Sequence, residues 1–131
     1  DDPAEEEGKR ILKIAIRSPD GALKVAKESH KAVLCRSCGG MFGDPFAGLT
    51  ASNRTFSVNH YGGSAWRWSA NYTFNYSRRD NTWQLVRVDE SSFHASEPEK
   101  QTSKSYRPPR DFGKIDITTF DPEHFKGVGA K

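Results

Sequence analysis

Between Trp66 and Tyr76 the chain alternates without a break. Trp66, Trp68, Ala70, Tyr72, Phe74 and Tyr76 hold the even positions; Arg67, Ser69, Asn71, Thr73 and Asn75 hold the odd ones. Successive side chains on a strand point to opposite faces, so this predicts a long antiparallel strand with one ring-bearing face and one polar face. "TFSVNHY" alternates too, placing Phe56, Val58 and His60 together, and Gly62-Gly63 separates it from the long strand. The polar turn "SRRDN" returns the chain through "TWQLVRVD". Upstream, "RILKIAIR" sets Leu12, Ile14 and Ile16 on one side. The turn "SPDG" then leads back through "ALKVAKE", Pro19 presetting φ and Gly21 relieving it, which predicts a hairpin. "KIDITTF" predicts a last short strand.

The intervening stretches predict loops. "CRSCGGMFGDPFAG" holds four glycines and one proline in fourteen residues. Residues 97–110, with Pro98, Pro108 and Pro109, read as a long polar loop or arm. Residues 1–9 are acidic, expected to fray or to form one helical turn from Asp2 and Pro3 to Gly8; "DPEHFKG" repeats that start and stop. No segment carries three turns of amphipathic helix. The expectation is a single β-rich domain over 1–131: an all-β antiparallel sandwich or barrel-like sheet built from hairpins, with one-turn helices at the ends.

Composition sharpens the core. Only 34% of the 131 residues are hydrophobic, and three Trp, four Tyr and eight Phe make up the shortfall, so the interior has to be ring-rich. On that ground the rings of the long strand are read as core. Trp66 and Trp68 are exceptions, because they lie at the glycine end where packing is incomplete; there a tryptophan can stack on a sugar ring or bury with its N–H bonded. The net charge of +3, with both signs interspersed, argues against a dedicated polyanion binder. Arg67, Arg78, Arg79 and Arg87 near Tyr72 and Trp83 imitate a single-strand nucleic-acid surface, but alternation puts those rings opposite the polar residues, so nucleic acid is not expected. No run approaches the roughly 18 apolar residues of a membrane span. The first residue is Asp1 with no Met, which suits an exported product with its signal removed and equally a trimmed chain.

Catalytic motifs are thin. There is no G-x-S-x-G elbow and no phosphate-cradling glycine loop before a helix. His60, on the apolar face with Phe56 and Val58, reads first as a structural histidine, and Asp44 in "FGDPF" as a turn cap. Asn53, Asn71 and Asn75 match the N-glycosylation pattern, which polar-face strand chemistry explains sufficiently. For Cys35 and Cys38 three readings stand: half of a zinc site completed by His30 or His60, a redox pair, or a local disulfide that shapes the loop. The last is favoured, since only one C-x-x-C is present and no helix follows it.

"RILKIAIR", "KAVLCRSCGGMFGDPFAGL", "FSVNHYGGSAWRWSANYTFNY" and "FHASEPEK…DFGKIDITTFD" together resemble a family of uncharacterised bacterial exported proteins over roughly Arg10 to Phe120, most specifically in His60 to Trp68. In such proteins this block often follows a D-x-N-x-D-G segment, missing here, which suits a chain cut from something longer. The resemblance implies a periplasmic or secreted location and strengthens the disulfide reading; it transfers no catalytic residue. The sequence therefore leads to a non-catalytic extracytoplasmic binding module, without cofactor or metal, whose ligand is a cell-envelope glycan or a protein partner of inhibitor or immunity type. The expected contact surface is Asp44, Phe46, His60, Tyr61, Trp66, Arg67 and Trp68, on glycine loops that let backbone approach a partner closely. A metal- or thiol-dependent protein centred on Cys35 and Cys38 is the first alternative, and single-strand nucleic-acid binding through the hairpin arginines is the second.

Overall fold

The computed structural model describes residues 10–35, 38–41, 43–52, 54–108, 110 and 112–122. They are all-β, with seven strands and no helix: β1 Leu12–Arg17, β2 Leu23–Ser29, β3 Phe46–Ser52, β4 Thr55–Gly63, β5 Trp66–Ser77, β6 Thr82–His94 and β7 Thr102–Tyr106. β1 and β2 form the predicted hairpin as a two-stranded sheet; the other five make one antiparallel sheet in chain order. That sheet ends at β3 and β7, so it is open and not a closed barrel. Both helical turns expected at the ends fall wholly or mainly outside the described residues.

Alternation on β4 and β5 sorts the side chains as expected. Register pairs Phe56 with Phe74, Val58 with Tyr72, His60 with Ala70 and Gly62 with Trp68, so all of these share the inner face. Val58 and Phe74 are fully buried there, joined by Leu85 and Val88 of β6 and Tyr106 of β7. Two segments without strand geometry cover this face. Ala32 and Val33 follow β2, where buried Ser29 accepts the Ala32 amide at 3.1 Å. Ile117 and Phe120 close the other side, and Phe120 meets the Tyr72 and Phe74 rings edge-on at 4.9 and 5.5 Å.

A bulge decides what the far half of β6 presents. Phe74 pairs with Leu85 but Thr73 pairs with Arg87, leaving Val86 as an extra residue. Upstream of it the odd residues Trp83 and Leu85 face inward; downstream the even residues Val88, Glu90 and Ser92 do.

Three expectations need correction. β3 begins at Phe46, inside the predicted glycine loop. Residues 97–110 are not a loop throughout, since Thr102–Tyr106 pairs with Val88–Ser92 as β7. "KIDITTF" is not a strand: it makes one bridge, Asp116 to Gln84, flanked by hydrogen bonds from Leu85 N–H to Ile115 O and from Ile117 N–H to Trp83 O. It then turns at 117–119 to bring Phe120 over the core. Proline at 98 and 108 flanks β7 without interrupting it, and a strand on the sheet edge tolerates polar side chains on both faces.

The outer face is polar, and its hydroxyls pair across strands: Ser57 with Thr73 at 3.0 Å, Ser69 with Ser91 at 2.5 Å, and Ser105 donating to Asp89 at 2.6 Å.

Candidate functional site: the uncovered half of the inner face

Among the described residues, those covering this face stop short of the far end of the sheet. Beyond Tyr72 the inner face continues through Ala70 and Trp68 on β5, Glu90 and Ser92 on β6, and Lys104 and Thr102 on β7. Among the described residues this surface is open and forms the floor of a cleft of about 720 Å³. Leu34, Cys38 and Pro122 also line it. The indole of Trp68 is half-buried, packed against the core and still exposed to the cleft.

Glu90 is half-buried in this floor, between Ala70 on one neighbouring strand and Lys104 on the other. Burial raises its carboxyl above the ordinary carboxylate range, and the Lys104 charge partly counters the rise. Among the described residues no hydrogen bond reaches its side chain. One rung further, the hydroxyls of Ser92 and Thr102 lie 3.0 Å apart. Burial and the Glu90 charge also push the Tyr72 hydroxyl well above its usual pKa, so it stays protonated at the inner end.

The wall near Cys38 is built from glycine on glycine. Gly39 N–H donates to Gly43 O at 2.7 Å, Gly63 N–H to Gly39 O at 2.8 Å and Met41 N–H to Gly63 O at 3.0 Å. A Cβ on Gly62 would lie 2.8 Å from Cζ2 of Trp68, and one on Gly40 2.8 Å from Gly63 O. "CGG" and "YGG" are thus two halves of one internal contact: the close backbone approach expected toward a partner is made within the chain. Cys35 and Cys38 form a disulfide, with Cα atoms 5.2 Å apart, that shapes the start of this wall.

The seven residues expected to form one surface are distributed over both faces. His60 is 1% exposed, and its Nε2 accepts the Leu34 amide at 3.1 Å, which leaves the proton of the neutral ring on Nδ1 between Phe46 and Tyr72. Burial first, and the Arg10 charge second, push its pKa down to about 4. Asp44 accepts a two-pronged bond from Arg10 and also caps the Phe46 amide at 3.0 Å. The same guanidinium donates to Leu34 O at 2.9 Å and lies 5.7 Å from the Phe46 ring centre. His60, Asp44 and Phe46 therefore belong to a clamp between the base of β1 and the loops. Tyr61 and Arg67 share the outer face with Ser69. Trp66 is 64% exposed past the cleft, edge-on to His94 at 5.2 Å. Only Trp68, with Cys38, lies in the cleft. Glu90, Ser92, Thr102 and Lys104 escape sequence reasoning because neither the bulge nor β7 is visible there.

Among the described residues no three His, Cys, Asp or Glu side chains are gathered as a metal requires. Among the described residues no helix is long and apolar enough to cross a membrane. On the nucleic-acid alternative, Tyr72 and Trp83 are buried inside while Arg87 is outside, paired with Asp89 at 2.8 Å. Compared with protein-family models, curated proteins and solved structures, the chain matches none.

Proposed function

We propose that this is a non-catalytic extracytoplasmic binding protein that holds a cell-envelope glycan in the cleft. The observation that carries the reading is the make-up of the uncovered floor: a half-exposed indole beside hydroxyls and one carboxylate. Pyranose rings present apolar C–H faces that stack on an indole and polar groups around the rim that need hydrogen bonds. A concave site with aromatic walls and a few placed polar groups suits them. A folded protein partner, by contrast, engages a broader and flatter surface.

Binding is favoured over hydrolysis by the carboxylate count. Glycosidases ordinarily use a pair of carboxyl groups roughly 5–9.5 Å apart. Among the described residues Glu90 is the one acidic residue lining the cleft, and its neighbour Asp89 points to the opposite face. The Cys35–Cys38 disulfide supports an oxidising, periplasmic or secreted compartment, the location the exported-protein resemblance also implies.

The test is calorimetric titration with oligosaccharides released from bacterial envelopes. Trp68→Ala should lose at least about tenfold in affinity with an unchanged far-ultraviolet dichroism spectrum, whereas Trp66→Ala should bind as the parent does. Absence of binding to every glycan, by a folded and oxidised protein, sinks the reading.

A further inference from the structure

The glycan reading leaves open which sugar the cleft prefers, and the order of side chains on its floor bears on that. Ala70, Glu90 and Lys104 occupy one rung across β5, β6 and β7, while Trp68, Ser92 and Thr102 occupy the next. Neighbouring strands are about 4.8 Å apart and successive inward side chains about 7 Å apart, so the two rungs together span one pyranose ring and its substituent.

Each rung has a different chemistry. The outer rung offers an indole face and two hydroxyls, which donate or accept as required. The inner rung offers a methyl group, a carboxylate that when ionised only accepts, and an ammonium that only donates. A secondary amide complements that inner rung, because it carries one N–H and one C=O directed oppositely, together with an apolar methyl when it is an acetamide. Other common substituents fit less well. A free amine brings a positive charge beside Lys104, and a carboxylate brings a negative charge beside Glu90. A lone hydroxyl reaches only one of the two charged groups, whereas an amide reaches both.

We infer that the cleft selects 2-acetamido sugars, the pyranose stacked on Trp68 and the acetamido group lying across Glu90 and Lys104. The inference rests on the glycan reading and deepens it. A peptide also carries amides, but it offers Trp68 no sugar-like C–H face.

The experiment compares four probes on the oxidised full chain by calorimetry and tryptophan fluorescence: tetramers of β-1,4-linked N-acetylglucosamine, glucosamine and glucose, and a blocked alanine tetrapeptide. The acetylated tetramer should bind about tenfold or more tighter than each of the others. Glu90→Ala and Lys104→Met should each cut that preference to about threefold or less. Equal binding of the glucose and acetylated tetramers overturns the acetamido assignment and leaves the glycan reading standing. Tightest binding of the tetrapeptide overturns both. Should a variant fail to fold, the probe series on the parent protein alone decides the matter.

Discussion

The inner face of the five-stranded sheet has two halves that share β5 and β6 across the bulge at Val86, and they behave differently. Around Phe74 and Leu85 the face is dry, because Ala32, Val33, Ile117 and Phe120 lie over it. Around Trp68 and Glu90 the same face is wet, because among the described residues no such cover extends there. Strand alternation decides which side a residue points to; it does not decide whether that side is sealed. Irregular segments do that, and here they seal half of it.

The comparison can be broken hardest in the sealed half. Phe74→Ala removes a fully buried ring that touches Phe56 and Phe120, and should cost about 4 kcal/mol in urea unfolding, near the total stability of many small domains. A loss below about 1 kcal/mol would mean the cover is not tightly packed.

His60 tests the boundary between the halves through pH. Its neutral form is favoured in the fold, with a pKa of about 4 against an ordinary value near 6.5. The unfolded chain therefore takes up the proton first as pH falls. The stability contributed by the neutral ring is complete above pH 6.5 and is lost as pH drops toward about 4, by on the order of 3 kcal/mol at most. Glu90, whose pKa is raised, contributes the opposite slope in the acid range. The comparison with His60→Gln isolates the histidine: its unfolding free energy should vary less between pH 4.5 and 7 than the parent's.

Gly63 probes the wall of the wet half. Its φ is +115°, and a Cβ there would lie 2.2 Å from Trp66 O. Gly63→Ala should cost roughly 2 kcal/mol and displace the loop that holds Cys38, seen as a lower thermal midpoint and altered tryptophan emission. Smallest of all, Trp68→Ala should lower stability by only about 1 kcal/mol, because its ring is already half in water. A loss as large as that of Phe74→Ala would place Trp68 in the core and remove the distinction between the halves.

Much of this fold is legible in the residue pattern, and the exceptions have physical reasons. The eleven-residue alternation of β5 fixed both of its faces, and the Pro19–Gly21 turn fixed the β1–β2 hairpin. β3 is hidden because "FAGLTAS" is short, carries a glycine and leaves Leu49 52% exposed, so it lacks a clean apolar side. β7 is hidden because an edge strand over a wet cleft needs no apolar residue except Tyr106 at its buried end. The site fared worse. Of the stretch His60 to Trp68 only Trp68 lines the cleft, while its glycines serve an internal contact and its histidine a buried clamp. Arg10, which ties Leu34, Asp44 and Phe46 together, is one basic residue among twenty, with nothing local to mark it.

The extra residue Val86 acts on β6 as a frameshift acts on a message: the ladder is kept, while every later side chain changes sense. Were Val86 kept but paired regularly with Thr73, every later partner would shift by one, turning Asp89 and Ser91 to the inside and Glu90 and Ser92 out. The chemistry of the cleft floor therefore depends on one unpaired residue that lies outside it, and removing the irregularity by pairing that residue would exchange the floor without replacing anything that lines it.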